Sequence, residues 1–269
     1  TFGRHVLGFH LVRTDGSVLW CSREENRNLF QATIGGLGLT GVIRDLRIRL
    51  KRVPGAMILQ ESLPFTRFEE FFRLSRESEE QEWPYIVSWI DCLDSDGRGI
   101  FFRGRPVEGD DMMAKAPLPV PFTPPVPLIN RHTLKTFNRL YFQRQARNAG
   151  FRRVHWRPFF YPLDSLGQWN RVYGPRGFLQ HQCVLPLENA EAVLKAMLAE
   201  MKALEAGSFL AVLKQFGEQP SPGWLSFPMR GVTLALDFPF QGDTTLQLFS
   251  RLNRLAAEGG GRMYPAKDA

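Results

Sequence analysis

The second half of the sequence alternates short segments, with apolar residues at every second position, and longer segments with helical spacing. Strands are predicted at residues 153–161, 178–185, 209–216 and 232–238, and helices at 163–172, 188–206 and 244–258. Strand pairs separated by helices are typical of an antiparallel sheet on which helices pack. The pattern therefore predicts an α+β fold whose antiparallel sheet is covered by helices on one face.

The first half also combines strands and helices. Asp15-Gly16 lies between two apolar segments and predicts a hairpin, and Ser22-Arg23-Glu24-Glu25 has the capping-box form that begins a helix. The predicted elements are strands at 5–12, 17–21, 41–53 and 85–91 and near residue 57, a helix ending at Gly35-Gly36, and a helix at 66–80. In segment 41–53 apolar and basic residues alternate, which predicts a half-exposed strand.

Residues 109–130 form a proline-rich segment, with six prolines between Pro117 and Pro127. Proline lacks the backbone N–H that helices and central strands require. The segment is therefore predicted to be a polyproline-like linker or crossing loop, and the main organisational boundary is placed there.

The charge of the chain is positive, because 34 Lys and Arg exceed 27 Asp and Glu to give +7. This balance indicates an anionic partner: a phosphate, a nucleic acid or an acidic membrane face. Basic clusters such as Arg152-Arg153 are spread along the chain, and no RNA- or DNA-binding signature accompanies them. Nucleic acid is therefore disfavoured.

The three cysteines, Cys21, Cys92 and Cys183, are odd in number and lack CxxC or metal-ligand spacing. They favour a reducing, cytoplasmic compartment and no metal site. No apolar run approaches the ~20 residues of a membrane span, and neither a membrane span nor a signal peptide is expected. Because strand-like segments lie at both ends, from Thr1 and up to Ala269, the chain is expected to be a fragment.

Four glycines, Gly35, Gly36, Gly38 and Gly41, lie between the predicted helix end and the next strand. A helix cap and a tight turn need one or two glycines. The surplus admits a second interpretation, in which bare backbone approaches a phosphate or a flat cofactor.

Lys214 follows an apolar run and has two interpretations. In the first, it stands at a strand end and reaches solvent. Alternatively, its ammonium is held against a ligand that is, or becomes, negative, because an unpaired buried charge is costly.

Strand alternation in "GFLQHQCVLP" places Gln180 and Gln182 on one face and His181 and Cys183 on the other. The two amides are either edge solvation or the lining of a pocket for a hydroxyl-rich ligand, and Cys183 is either a small core residue or part of that pocket. Nearby aromatic and polar residues are either a stapled turn or a pocket wall. They are Tyr161, Trp169, Asn170, Arg171 and Tyr173.

Six segments, in this order, resemble successive blocks of the decaprenylphosphoryl-β-D-ribose 2-oxidase family, within the vanillyl-alcohol-oxidase superfamily of FAD enzymes. They are "FGRHV", "DGSVLWCSREENRNLFQATIGGLGLTGVI", "FFYPLDSLGQWNRVYGPRGFLQHQCVLP", "SFLAVLKQFG", "WLSFPMRGVTLALDFP" and "GGRMYPAKD". The resemblance implies the C-terminal part of an FAD-binding domain at 1–54, a substrate domain at 55–258 containing the proline-rich loop 109–130, and a return to the FAD domain at 259–269.

The resemblance also implies roles for individual residues. Lys214 would act near both flavin and substrate. Gln182 and Cys183 would line the substrate site, with Tyr161, Trp169 and Asn170 as neighbours. The residues implied to contact FAD are Gly35, Gly36, Gly38, Gly41, Val42, Ile43, Tyr264 and Lys267.

The implied activity is FAD-dependent oxidation of C2 of a polyprenyl-phosphate-linked ribose, completed to arabinose by an NAD-dependent reductase partner. A peripheral membrane contact is implied by the lipid substrate. The family's pyrophosphate-binding loop would lie upstream of Thr1, so this segment alone is expected to bind FAD weakly and to be inactive. Two alternatives stay open: a sugar-lactone or alditol oxidase of the same superfamily, and a non-enzymatic binder of nucleic acid or acidic lipid.

Overall fold

A computed structural model describes residues 1–110, 118–125, 129, 131–208 and 210–267. Its first unit is a three-stranded antiparallel sheet in the order β2-β1-β3, formed by β1 (Val6–Val12), β2 (Val18–Ser22) and β3 (Val42–Ile48). Helix α1 (Arg27–Thr33) packs on this sheet, and Phe30 of the helix stacks on Phe9 at 5.5 Å. The small core here consists of Val6, Phe9, Leu11, Cys21 and Phe30.

The second sheet has eight strands and is antiparallel throughout. Its strands are β4 (Met57–Phe65), β5 (Tyr85–Ile90), β6 (Gly99–Val107), β8 (Gly150–His155), β10 (Phe178–Leu185), β11 (Ala211–Phe216), β12 (Gly231–Pro239) and β13 (Arg262–Met263). Their order across the sheet is β13-β10-β12-β11-β5-β6-β4-β8. Two short strands, β7 (Leu118–Pro119) and β9 (Leu166–Gly167), pair in parallel beside it.

The helices lie on both faces of this large sheet. They are α2 (Phe68–Glu80), α3 (Arg131–Arg147), α4 (Trp156–Phe160), α5 (Leu187–Ala203) and α6 (Asp243–Glu258), with 3-10 helices at Phe2–Arg4, Pro162–Ser165 and Trp169–Tyr173. Helices α2, α5 and α6 cover the core face, where the largest apolar cluster forms. Helices α3 and α4 pack over strands β4, β6 and β8 on the opposite face. The predicted covering of one face alone is therefore corrected.

Helix α6 shows why the core face is stable. Its buried residues Leu248, Phe249, Leu252 and Ala256 recur at the three- and four-residue spacing of one helix face. Full burial of each large apolar side chain contributes roughly 1.5–3 kcal/mol before the entropy of ordering is counted. The amphipathic pattern read from the sequence is thus what fixes α6 against the sheet.

The α+β class with a large antiparallel sheet is confirmed, and most predicted strands and helices are present within a few residues. Residues 111–117, 126–128 and 130 of the proline-rich segment lie outside the described residues. The division at 1–54, 55–258 and 259–269 stays a prediction. The first sheet ends at Ile48 and β4 begins at Met57, while β13 of the tail pairs with β10.

Three local predictions are wrong. Helix α1 begins at Arg27, because the Ser22 hydroxyl accepts from the N–H of Glu24 and Glu25 in a turn, and Asn26 then adopts a left-handed φ of 47°. The predicted strand 153–161 ends at His155, whose Nδ1 accepts from the N–H of Arg157 and caps α4. The predicted helix 163–172 is replaced by two 3-10 turns with β9 between them.

Strand β3 is exposed along its whole length, so neither of its alternating faces is buried as a half-exposed strand requires. Strand β6 and helix α3 were not predicted at all. Among the described residues, no helix is long and apolar enough to cross a membrane, and no cluster of metal-ligating side chains occurs. The three cysteines are buried and free.

Candidate functional site

A set of polar side chains lies together on the face of the large sheet opposite the core. Pairing of β10, β11 and β12 places Gln182 opposite Ala235, Gln180 opposite Asp237, and Lys214 opposite Thr233. Side chains directly opposite each other share one face of an antiparallel sheet. We call this surface the polar face and define it by Gln180, Gln182, Lys214, Thr233 and Asp237.

Lys214 is the cation of the polar face. Its side chain reaches solvent, yet enough protein surrounds the ammonium that desolvation lowers the pKa of this lysine below its usual 10.5. Over the ranges that the structure describes, no carboxylate forms an ion pair with it. A desolvated ammonium without a protein counter-charge is suited to a ligand oxygen that carries negative charge.

The two glutamines are held by side chains of β12. The amide of Gln182 donates to the Thr233 hydroxyl at 3.2 Å, and the amide of Gln180 donates to the Asp237 carboxylate at 2.5 Å. These bonds orient each amide so that its oxygen keeps accepting capacity. The surface can therefore offer both donors and acceptors to hydroxyl groups.

The chain's tail lies beside this surface. The N–H of Tyr264 donates to the backbone oxygen of Gln182 at 2.8 Å. The Lys267 ammonium stands 6.0 Å from the centre of the Tyr264 ring. The structure thus brings Tyr264, Lys267 and Gln182 together, although they come from two distant parts of the sequence.

The loop at residues 221–227 connects the polar face to the segment that contains Gly35, Gly36, Gly38 and Gly41, which we call the glycine bend. The centre of its Phe227 ring lies 4.9 Å from that of Tyr264 and 6.2 Å from that of Phe216. Phe216 follows Lys214 by two positions and so shares its strand face. At the other end of the loop, the N–H of Trp224 donates to the Gln31 carbonyl at 3.0 Å. The bend and the strand of Lys214 consequently border one region of the molecule.

For three of the four glycines, close contacts within the protein leave little or no room for a side chain. A Cβ on Gly36 would lie 2.1 Å from the Ala32 carbonyl, one on Gly41 would lie 2.4 Å from the Val12 carbonyl, and one on Gly35 would meet Ser226 backbone at 3.1 Å. Gly38 differs, because its φ is +79° but nothing lies within 4 Å of the Cβ position. The surplus of bare backbone noted in the sequence is therefore largely used by the fold, and Gly38 is the glycine that faces open space.

Val42 and Ile43 follow the bend and expose 69% and 46% of their surface. Apolar side chains this open, beside a polar-backbone bend, present a surface on which a flat ring can lie. The geometry at Gly38, Val42 and Ile43 fits the implied contact with a flavin, and that contact stays a prediction.

Cys183 does not line the polar face. Strand alternation turns its side chain to the core face, where it is fully buried in the large apolar cluster. Burial raises the pKa of the Cys183 thiol to about 12, so the thiolate does not form near neutral pH. The implied role in substrate binding is corrected: Cys183 is a core residue.

The predicted aromatic neighbours are divided. Trp169 packs against Phe178 at 5.0 Å, close to the start of β10, and so stays near the polar face. Tyr161 packs against Trp156 with the two ring centres 6.2 Å apart, at the end of α4, which packs over β4 and β8. Asn170 is exposed. That Tyr161 and Asn170 are neighbours of the substrate stays a prediction.

Two residues of the polar face were missed in the sequence. Thr233 anchors the amide of Gln182, and Ala235 lies directly opposite that glutamine. The signal was present, because "VTLALD" alternates Val232, Leu234 and Leu236 with smaller or polar residues. The alternation predicts a strand with one non-core face, but which strand lies beside it cannot be read from the segment alone.

Comparison with known proteins supports a relationship over the whole chain. No family model matches the chain. It is 30% identical over its full length to the decaprenylphosphoryl-β-D-ribose oxidase of Mycolicibacterium smegmatis, of which it covers 61%. It is 28% identical over its full length to an uncharacterized protein in the mprA 5′ region of Streptomyces coelicolor, of which it covers 77%.

A shorter match links the chain to L-gulonolactone oxidase of Mus musculus, with 36% identity over 78 residues that are 29% of this chain and 17% of that protein. The chain spans about three fifths of the length of the mycobacterial relative. Over its full length, this chain with its α+β fold is therefore similar to a decaprenylphosphoryl-β-D-ribose oxidase.

Proposed function

We propose that this chain forms the substrate-facing part of an FAD-dependent oxidoreductase that oxidises a sugar hydroxyl group. The observation that carries the proposal is Lys214, a desolvated ammonium on a sheet face that also presents Gln182 and Thr233. The kinship with sugar and sugar-lactone oxidases agrees with a polar, hydroxyl-binding surface.

FAD is the cofactor proposed, and the residues present fit it. Gly38 leaves open space at its Cβ position, and Val42 and Ile43 expose apolar surface next to it. Two ammonium groups are also available. Lys214 lies on β11, and Lys267 lies in the tail, which is bonded to β10 through the N–H of Tyr264 and the backbone oxygen of Gln182. When bound, FAD would supply the two-electron oxidation of a carbinol to a ketone.

The role proposed for Lys214 follows from its surroundings. Its ammonium donates hydrogen bonds to an oxygen on which negative charge develops, and such a donor stabilises the charge more strongly once a bound substrate excludes water. Gln182 and Gln180 hold hydroxyl groups of the sugar through amides fixed by Thr233 and Asp237. Because the pKa of Lys214 is lowered, this positive charge is lost at a lower pH than for an ordinary lysine.

The substrate proposed is a polyprenyl-phosphate-linked ribose oxidised at C2, and an NAD-dependent reductase is proposed as the partner that completes epimerisation to arabinose. The name of the mycobacterial relative supports the substrate. We also place the protein in a reducing, cytoplasmic compartment in peripheral contact with a membrane. Three buried cysteines without a disulfide agree with that compartment.

The test uses the full-length protein containing this chain, mixed anaerobically with detergent-solubilised polyprenyl-phosphate ribose, while the flavin absorbance is followed. We expect bleaching by this substrate, and a rate reduced about 100-fold or more in Lys214→Met, as for loss of one oxyanion donor. Lys202→Met, at an exposed lysine near the end of α5 on the core side, serves as the matched control and should bleach at the normal rate.

A second candidate is oxidation of a free sugar lactone, which the partial match to L-gulonolactone oxidase favours. Bleaching by a sugar lactone and not by the lipid-linked pentose would replace the first proposal with this one. A full-length protein that shows no flavin absorbance would contradict both and support a non-enzymatic binder.

A further inference from the structure

The net positive charge of the chain comes from one continuous segment. Between Asp111 and Asp164 there are nine Lys and Arg and not one Asp or Glu. The other 25 basic residues are outnumbered by the 27 acidic residues of the chain. Basic residues occur throughout the chain, but the excess of basic over acidic residues lies in this one segment.

Helix α3 carries much of this excess on its exposed side. Lys135, Arg139, Arg144 and Arg147 are exposed there, while Leu134 and Asn138 on the other side are buried against the sheet. Asn138 donates to Asp91 at 2.6 Å, and that carboxylate is already paired with Arg98. Within the described parts of the chain, none of the four cations forms an ion pair.

Strand β8 adds one further cation beside α3 at the edge of the large sheet. It follows α3 after two residues, and Arg152, paired opposite Gln60, is exposed on the sheet face over which α3 packs. Arg153 is exposed on the other face and donates to the backbone carbonyl of Glu108 at 3.0 Å. Among the described residues, β8 is the last strand of this sheet, and no carboxylate pairs with either arginine.

A large apolar side chain is exposed among these cations. Leu140 on the outer side of α3 exposes 60% of its surface. We call the exposed side of α3 together with Arg152 the basic surface; it comprises Lys135, Arg139, Leu140, Arg144, Arg147 and Arg152.

We propose that the basic surface binds an anionic phospholipid bilayer. Lysine and arginine side chains are attracted to acidic headgroups, while leucine enters the boundary between headgroups and acyl chains. Because the segment itself contains no acidic residue, it adds no negative charge that an acidic membrane would repel. This inference rests on the membrane contact in the proposed function and assigns that contact to a specific surface.

A lipid bilayer fits the basic surface better than a nucleic acid does. A phosphate-reading surface uses cations and polar side chains, with flat rings where bases stack. Leu140 is an exposed aliphatic side chain among Arg139, Arg144 and Arg147. It can neither stack on a base nor bind a phosphate, whereas it can insert into the interfacial region of a membrane.

The experiment is sedimentation of the full-length protein with phosphatidylcholine vesicles that contain or lack 30% phosphatidylserine, a composition chosen as roughly that of an acidic membrane. Binding to the acidic vesicles is expected, and it should weaken as salt is added. The triple variant Arg139→Gln, Arg144→Gln, Arg147→Gln should bind about 100-fold more weakly, from roughly fivefold for each cation.

The matched control replaces three exposed cations on the helices of the core face: Arg76→Gln, Lys202→Gln and Arg254→Gln. It changes the net charge equally and should leave vesicle binding within about threefold. Leu140→Asn should reduce the binding that persists at high salt, because that part is apolar.

Equal losses in the two triple variants would overturn the proposal, since net charge alone would then explain binding. Binding to single-stranded RNA or double-stranded DNA that depends on Arg139, Arg144 and Arg147, without vesicle binding, would overturn it in favour of nucleic acid. Flavin reduction by detergent-solubilised substrate is measured in parallel and should be unchanged in the triple variant, so failure of the surface and failure of the oxidase proposal are distinguishable.

Discussion

At the residue scale, Gln182 and Cys183 are sequence neighbours with opposite surroundings. Gln182 faces the polar side of the sheet and donates to Thr233. Cys183 faces the helices and has no exposed surface. Alternation along β10 thus separates a residue that can meet a sugar from one that only fills the core.

The first prediction compares these two neighbours. Cys183→Ala should leave the rate of anaerobic flavin reduction in the full-length protein within about twofold, and should lower the free energy of unfolding by roughly 1 kcal/mol for the smaller core side chain. Gln182→Ala should slow flavin reduction at least tenfold, because the sugar loses an oriented amide. A larger loss of rate in Cys183→Ala than in Gln182→Ala would contradict the assignment of faces.

The second prediction concerns Gly38. Gly38 has a left-handed backbone, which asparagine tolerates, so Gly38→Asn should change the free energy of unfolding by about 1 kcal/mol or less. Its side chain should occupy the open space, and the flavin content of the purified full-length protein should fall by half or more.

Gly16→Asn is the control for Gly38→Asn. Gly16 also has a left-handed φ, +82°, with nothing within 4 Å of its Cβ position, but it lies in the turn of the first hairpin. It should cost the same stability and keep full flavin content. Equal flavin content in both variants would show that the bend does not contact the cofactor.

At the element scale, strands β4 and β6 are joined by a buried ion pair. Nε of Arg103 donates to the Glu61 carboxylate at 2.6 Å, and the same guanidinium lies 4.8 Å from the centre of the Trp83 ring. Its Nη1 also donates to the Ser78 hydroxyl of α2 at 3.3 Å. One guanidinium therefore connects two strands and a helix end.

The third prediction follows from that pair. Glu61→Ala leaves the Arg103 charge buried without its partner and should lower the free energy of unfolding by about 3–5 kcal/mol in urea titrations. Glu77→Ala removes an exposed pair with Arg73 on α2 and should cost only about 0.3–0.5 kcal/mol. Similar midpoints for the two variants would mean that the buried pair contributes no more than a surface one.

The same scale shows what sequence patterns can and cannot predict. Helices α2, α5 and α6 were predictable because each buries one regular face, and strands β10 to β12 because each is a short, mainly apolar segment. Helix α3 was missed because its many charged residues obscure a narrow buried side, and β6 because Arg103 and Arg105 interrupt its apolar run. Contacts between distant segments, such as the loop 221–227 against Gly35, leave no local pattern.

At the scale of the whole molecule, the two sheets have separate apolar cores. The cluster around Phe9 and Phe30 is small, and the cluster around Phe101 and Phe249 spans the large sheet and its helices. Units with separate cores open independently when the contacts between them are few. The class of fold followed from the sequence, while this division of the core required the structure.

The fourth prediction tests that independence by hydrogen exchange. Phe9→Ala should raise amide exchange in β1, β2 and β3 and leave β10 and β12 unchanged, because the cavity lies only in the small core. Phe249→Ala, which removes a ring 5.8 Å from Phe238, should raise exchange in β10 and β12. A uniform rise across both sheets in Phe9→Ala would show a single cooperative unit.

The pairing of β13 with β10 fixes how the tail is positioned. Because the N–H of Tyr264 is bonded to the backbone of Gln182, the tail that carries Lys267 moves as one body with the strand that carries the glutamine. The spacing between the Lys267 amine and the Gln182 amide is then set by a short backbone tether, and it is insensitive to how the two sheets tilt against each other.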